Sequence, residues 1–178
     1  MILGMSLPAF TLAHVLISVV GIFSGLVVVF RMLKGHELGS WNLVFLVTTI
    51  ATSATGFLFH SKTFGPPHIV GVISLIVLAV ALAALYGGHL ARAWRWVYAV
   101  AAVTALYLNV FVGVVQAFDK IGLLHKFAPT GAEPPFAVAQ GAVLLLFALF
   151  GYLAVKRFHP VLGITRANTR LMTTWGIE

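Results

Sequence analysis

Long apolar runs without a charged residue are the feature that most restricts how this chain can fold. Five runs of about 20 residues each, the length that an α-helix needs to cross the bilayer hydrocarbon, contain no Asp, Glu, Lys or Arg. They cover residues 8–30, 41–59, 67–86, 96–118 and 135–155. Hydrophobic residues make up 61% of the 178 positions and charged residues 8%, more apolar surface than one soluble core buries. We therefore predict an all-α integral membrane bundle of five transmembrane helices.

Basic residues separate by side of the predicted membrane. Arg31, Lys34, Arg92, Arg95, Lys156, Arg157, Arg166 and Arg170 fall on one side, against Lys62, Lys120 and Lys126 on the other. Under the positive-inside rule, the N-terminus is outside and the C-terminus inside. The protein is thus predicted to be multi-pass in the bacterial inner (plasma) membrane. Its net charge of +7 indicates contact with anionic lipids at the inner face and no nucleic acid partner.

Two regions are predicted along the chain. Residues 1–157 form the five-helix transmembrane domain, and residues 158–178 form a basic cytoplasmic tail. The first apolar run is too long for a signal peptide, follows no basic residue and lacks a small-residue cleavage site, so we predict that it is a retained first span.

Polar and small residues recur at helical spacing within the runs. His14, Ser18, Gly21 and Gly25 share one helix face, as do Thr48, Thr52 and Thr55 in the second run. The Ser, Thr and Gly positions are typical of helix packing. Larger polar side chains in hydrocarbon usually face a cavity or a partner. From the helical rise we expect a shared polar layer near the outer leaflet, formed by His14, Thr55, His68, Gln116 and Gln140.

This layer suggests a cofactor site. Two neutral imidazoles from different helices can ligate a haem b iron, and His14 and His68 are the best candidate pair, with Gly21, Gly25 and Gly71 making room for the ring. A quinone would instead accept hydrogen bonds from His and Gln side chains between walls formed by Phe10, Phe57 and Phe136. The alternative is that His14 only hydrogen-bonds Gln140 or Thr55 across the bundle. The sequence does not separate haem from quinone.

Two histidines, His60 and His68, lie at the connection between the second and third runs. His60 is expected to reach for the membrane interface as an amphipathic side chain does. His68 follows Pro66 and Pro67, which restrict the backbone and fix the direction of its side chain.

Several other functions are disfavoured. The chain has no cysteine, which excludes disulfides, thiolate ligands and iron–sulfur clusters. The runs lack the intramembrane charges expected of a pump, and neither an HExxH motif nor a hydrolase motif is present. We predict that the protein is not an enzyme on its own.

The residues singled out so far also carry a resemblance. His14, the Gly-Pro-Pro-His turn at 65–68, the segment AWRWVYAVAAVTALYLNVFVGVVQAF at 93–118 and EPPFAVAQ at 133–140 resemble a family of small bacterial inner-membrane proteins with about five spanning helices. The resemblance covers most of residues 3–157 and implies no particular activity. In outline the chain is also similar to membrane-embedded b-type cytochromes, although it lacks the two in-helix histidine pairs of the two-haem types.

From these observations we predict a redox-associated membrane subunit. It would bind one haem b or quinone through His14 and His68, with Gln116, Gln140 and Thr55 as further contacts. The competing hypothesis is a non-catalytic accessory or assembly subunit of a larger membrane complex, in which the polar stripes are packing surfaces. A weaker alternative is a small-solute channel or carrier. In each case we expect a homo-oligomer or a hetero-oligomer with other membrane proteins.

Overall fold

The computed structural model describes residues 2, 4–59 and 65–159, and this part of the chain is almost entirely helical. His60, Lys62 and the tail beyond His159 lie outside the described residues. Within them the helices are α1 (Leu7–Leu33), α2 (Ser40–Gly56), α3 (Pro66–Leu82), α4 (Trp94–Lys120), α5 (Gly122–Phe127) and α6 (Pro134–Arg157). A π-helical turn, Ala83–Gly87, extends α3. The prediction of an all-helical protein is confirmed, and the short α5 was not predicted.

Among the described residues, four helices are long and apolar enough to cross a membrane: α1, α3 with its π-helical turn, α4 and α6. The second predicted run is shorter as a helix than as a sequence pattern. It ends at Gly56, where the N–H of Phe57 bonds the carbonyl of Ala54 and the N–H of Leu58 bonds that of Thr55. These i to i−3 bonds tighten the last turn and close the helix. With 17 residues, α2 is roughly 26 Å long against about 30 Å of hydrocarbon.

Successive long helices run in alternating directions. Helices α1 and α2 are antiparallel, because residues with increasing numbers in α1 contact residues with decreasing numbers in α2. The pairs are His14 with Thr55, Ser18 with Thr52, Gly21 with Thr48 and Gly25 with Phe45. Helix α4 opposes α1 in the same way, with Leu106 beside Gly25 and Asn109 beside Gly21. Helix α6 opposes α4, because Gln140 meets Phe111 and Phe147 meets Tyr107. The five long helices therefore form an up-and-down bundle.

Helix α4 occupies the centre of this bundle and supplies much of its core. A row of buried alanines on α4 allows the neighbouring helices to pack closely around it: Ala99, Ala101, Ala102 and Ala105. Large apolar side chains point outward instead, for example Leu145 at 73% exposed and Val138 at 71% on α6. An outer surface of large apolar side chains is expected of a protein that is surrounded by lipid.

The two ends of the bundle differ in charge. At one end, which we call the basic end, α1 and α6 finish and α4 begins. Arg95 donates to the carbonyl of Phe158, and Gly35 lies against the carbonyl of Arg157. The described basic residues at this end are Arg31, Lys34, Arg92, Arg95, Lys156 and Arg157, whereas Lys120 and Lys126 lie towards the opposite end, which we call the His14 end.

Candidate functional site

His14 lies on the seam between α1 and α2, towards the His14 end. Its Nδ1 is 2.8 Å from the hydroxyl oxygen of Thr55. That hydroxyl donates to the carbonyl of Ala51 at 2.7 Å, so it accepts a hydrogen bond from the imidazole Nδ1–H. The ring also meets Phe59 edge to face at 5.1 Å, and Phe59 contacts the buried Phe10 at 5.0 Å. The bond to Thr55 is the interhelical link predicted as the alternative to a ligand role.

His68 lies in the first turn of α3, where it caps the helix. Its Nδ1 accepts a hydrogen bond from the backbone N–H of Gly65 at 3.3 Å, and its ring packs against Phe57 at 5.8 Å. A neutral imidazole that accepts through Nδ1 has its proton on Nε2. In this arrangement His68 presents a donor at Nε2, while an iron ligand needs a lone pair there.

Gln140 lies on a different seam, between α4 and α6. Its side-chain nitrogen donates to the carbonyl of Phe111 at 3.1 Å, and the residue is only 9% exposed. No described residue donates a hydrogen bond to its buried Oε1. Since the contact with a carbonyl fixes which amide atom is nitrogen, the orphaned atom is an acceptor.

Aromatic rings of α4 and α6 lie along the seam that contains Gln140. We use the name aromatic seam for Tyr107, Phe111 and Phe118 of α4 together with Phe136 and Phe147 of α6. Phe118 and Phe136 meet edge to face at 5.4 Å, and Tyr107 lies 5.9 Å from Phe147 and 6.1 Å from Phe111. Phe136 and Phe147 share a face of α6 with Gln140, because they are four residues before it and seven after it. The amide of Gln140, with its orphaned acceptor, therefore lies on the α4–α6 seam that also carries these ring pairs.

The predicted polar layer is distributed over several places. His14 and Thr55 meet on the α1–α2 seam. Gln140 bonds α4, and Gln116 is exposed on the last turns of α4. Helical rise indicates only the depth of a residue along its helix, whereas rotation about the helix axis decides which seam the residue faces.

Two polar contacts were not predicted. The amide of Asn109 lies 3.5 Å from the hydroxyl of Thr49 in the middle of the bundle, and the Tyr98 hydroxyl donates to the buried side chain of Asn42 at the basic end. The sequence signal for Asn109 is a large polar residue within the apolar run 96–118. Asn42 gave only the weaker signal of an amide near the start of a run.

The glycines expected to make room for a haem are packed against side chains. A Cβ at Gly25 would lie 2.7 Å from Leu106 and 2.8 Å from Phe45, and one at Gly71 would lie 2.9 Å from Phe57. These glycines thus bring side chains of neighbouring helices into close contact. Among the described residues no group of three or more His, Asp or Glu is placed to hold a metal ion. The packing and the His68 tautomer thus fit a bis-histidine haem poorly.

Glu133 precedes α6 at the His14 end and bonds the loop residues Thr130 and Ala132. Slight desolvation raises the pKa of its carboxyl, but hydrogen bonds from the backbone and hydroxyl of Thr130 and from the N–H of Ala132 together hold that pKa below its ordinary value. Pro134 follows at the first helical position, where its missing N–H has no cost.

The alternating apolar helices, the lipid-type surface and the interhelical polar contacts define a small polytopic membrane protein of the helical class. Comparisons of the chain with protein families, with curated proteins and with solved structures give no match.

Proposed function

We propose that this protein is a redox-associated membrane subunit that binds a quinone at the aromatic seam. The observation that carries the proposal is the buried Oε1 of Gln140, an acceptor without a donor among the described residues. Leaving such a group unsatisfied costs about 1–3 kcal/mol. The hydroxyl of a reduced quinone supplies the missing donor, and the surrounding rings offer faces and edges for its ring.

Different residues of the chain have different roles in this proposed site. Phe111 holds the Gln140 amide through its backbone carbonyl, which orients Oε1. The rings of the aromatic seam exclude water and bury the headgroup. A bound quinone supplies two-electron chemistry, and in this proposal a partner subunit supplies or accepts the electrons. Quinone is favoured over haem b because it needs hydrogen bonds and aromatic walls but no pair of imidazole lone pairs.

The proposal includes five spans, an outside N-terminus, an inside C-terminus and location in the bacterial inner membrane. Support comes from α2, which runs antiparallel to α1 and carries the chain back to the His14 end, where α3 begins. The basic residues gathered at the opposite end support the orientation. In this orientation the aromatic seam lies in the outer half of the membrane.

The test is to measure quinone in the protein purified from membranes and then to titrate it with a soluble quinone analogue. Replacement of Gln140 by Leu should weaken binding about tenfold, the effect of losing one hydrogen bond of roughly 1.4 kcal/mol. The matched control is Gln116→Leu, the same change at an exposed position of α4, which should bind as the unmodified protein does. Equal binding by both variants would contradict the proposed site.

A dithionite-reduced absorption spectrum separates haem from quinone. We expect no α-band. A sharp α-band that disappears in a variant with His14→Ala and His68→Ala would establish the haem site and overturn the quinone proposal.

The second candidate is a non-catalytic accessory or assembly subunit. It is favoured by the contacts of His14, Ser18 and Asn109, each of which links two helices of the bundle, and by the close packing at Gly25. If this candidate is correct, Gln140→Leu should leave any co-purifying membrane protein bound, and no quinone should be recovered. A solute channel or carrier remains a prediction from sequence that no observation on the described residues favours.

A further inference from the structure

The short helix α5 begins one residue after the end of α4, at the His14 end of the bundle. Helix α4 has 27 residues and is therefore roughly 40 Å long, against about 30 Å of bilayer hydrocarbon. Its last turn contains Asp119 and Lys120, whose side chains form an ion pair at 2.7 Å and are 53% and 74% exposed. An apolar helix of this length that ends in exposed charges reaches the lipid headgroups, so α5 starts at the membrane surface.

The backbone on both sides of α5 is fixed. The N–H of Ile121 bonds the carbonyl of Ala117 at 2.9 Å, and the N–H of His125 bonds the carbonyl of Ile121 at 2.8 Å. After the helix, Ala128 is only 2% exposed, and its N–H bonds the carbonyls of Leu124 and His125. The direction in which the side chains of α5 point is therefore set by its attachment to α4 and by the buried residue that follows it.

The side chains of α5 divide into an apolar and a polar side. Leu123 is 68% exposed and Phe127 is 59% exposed, and their spacing of four residues places them on one face. His125 is two residues from each of them, which puts it about 160° away around the helix axis. Lys126 lies beside the apolar face, three residues after Leu123. One exposed face of α5 is therefore apolar, with a lysine at its edge and an imidazole on the opposite side.

We propose that α5 is an interfacial anchor, which lies along the membrane surface with Leu123 and Phe127 inserted between the lipid headgroups and the upper acyl chains. This occupant is favoured by the position of α5 directly after a helix that is long and apolar enough to span. It is also favoured by charge, because Lys126 at the edge of the apolar face can extend to a lipid phosphate while His125 stays in water.

Lipid accounts for both properties of this helix at once. Short amphipathic helices bind at an interface through buried apolar area and through attraction of their cations to anionic headgroups. A soluble partner would have to cover Leu123 and Phe127 while competing with the lipid that borders the end of α4. Anchored in this way, α5 would hold the connection between α4 and α6 close to the membrane.

Spin labels attached to single introduced cysteines can test this inference, since the full chain has no cysteine of its own. The labelled proteins are placed in liposomes of phosphatidylcholine and phosphatidylglycerol. Accessibility of each label is then measured to oxygen, which concentrates in lipid, and to a water-soluble nickel complex. The labels on the apolar side replace Leu123 and Phe127, and a label at the exposed Leu145 of α6 gives the reference for acyl chains.

Labels at Gly122 and His125 are the matched controls on the polar side of the same helix. Both positions are exposed, and nothing lies within 4 Å of a Cβ at Gly122, so all labelled proteins should fold, which circular dichroism checks. We expect oxygen to have the stronger effect at Leu123 and Phe127 and the nickel complex to have the stronger effect at Gly122 and His125.

Two results would overturn the proposal. A stronger effect of the nickel complex at all four positions would show that α5 projects into water. Exclusion of both reagents from labels at Leu123 and Phe127 would show that protein, in the form of a second copy or another subunit, covers this face instead of lipid.

Discussion

Gly25 shows how closely helices approach one another in this bundle. Three helices meet at this point, since the Cα of Gly25 in α1 lies against Leu106 of α4 and Phe45 of α2. Neither side chain has space to retreat, because both are almost completely buried. The absence of a side chain at this residue is therefore what permits the three-helix contact.

Gly25→Ala should destabilise the protein by about 1–3 kcal/mol, because the new methyl group would overlap two core side chains. The measurement is unfolding in detergent by added sodium dodecyl sulfate, followed by tryptophan fluorescence. Gly141→Ala is the control: nothing lies within 4 Å of a Cβ there, so its stability should be unchanged or up to about 1 kcal/mol higher. Equal effects of the two substitutions would show that the close contact at Gly25 does not limit stability.

The polar residues illustrate what sequence can and cannot establish at this scale. The spacing of His14 and Thr55 predicted that both face a seam, and the structure joins them. The partner of Gln140 is a backbone carbonyl, and every residue of an apolar run carries one, so no pattern of side chains indicates it. The orphaned oxygen, which suggests the site, has no sequence signal at all.

Helix α2 is the element whose relation to the membrane most needs a test. It has 17 residues, as α3 has without its π-helical turn, and it is shorter than α1, α4 and α6. It runs beside α1 from Phe45 to Thr55 in the opposite direction. The stretch of α2 from Phe45 to Thr55 rises about 15 Å along α1, roughly half the thickness of the bilayer hydrocarbon. A modest mismatch in length can be absorbed by local thinning of the bilayer.

We therefore predict that α2 crosses the membrane. Compartment-specific reporters fused after Lys34 and after Lys62 should give opposite signals. A fusion after Arg92 serves as the control and should match the one after Lys34. The same compartment for Lys34 and Lys62 would exclude α2 as a span and would require a four-span protein.

Helix starts were easier to predict than helix ends. Prolines near the starts of α1, α3 and α6 mark those boundaries directly in the sequence. The π-helical turn after α3 depends instead on contacts made later in the chain, because Gly88 packs so closely against Trp94 that a Cβ would lie 2.2 Å from its ring. The helix propensity of residues 83–87 does not depend on such a contact, and for this reason the π-helical turn was not predicted.

At the scale of the whole molecule, the main architecture followed from apolar length alone. A chain with runs of roughly 20 uncharged residues has few alternatives to a helical bundle in lipid. Which helix faces which, and hence the composition of any site, depends on rotation and packing of weakly amphipathic helices. Lipid and protein interiors are similarly apolar, so hydrophobicity does not distinguish the two faces.

The distribution of charge over the molecule predicts its orientation. A reporter that is active only outside the inner membrane should be active when fused after Lys126 and inactive after Arg92. The physical reason is the excess of Lys and Arg at the basic end, because loops rich in these residues stay on the cytoplasmic side during insertion. Activity of the fusion after Arg92, with an inactive fusion after Lys126, would show the reverse orientation.

The contacts between α1 and α2 also bear on how the protein enters the membrane during synthesis. Ser18 with Thr52 and His14 with Thr55 pair residues of consecutive helices, and the intervening turn is short and bends at Gly35 and Gly39, both with positive φ. This hairpin can satisfy its polar groups as soon as both helices have been translated. It can thus move into lipid as a closed pair, whereas the hydrogen bond between Gln140 and α4 forms only after α6 has been translated.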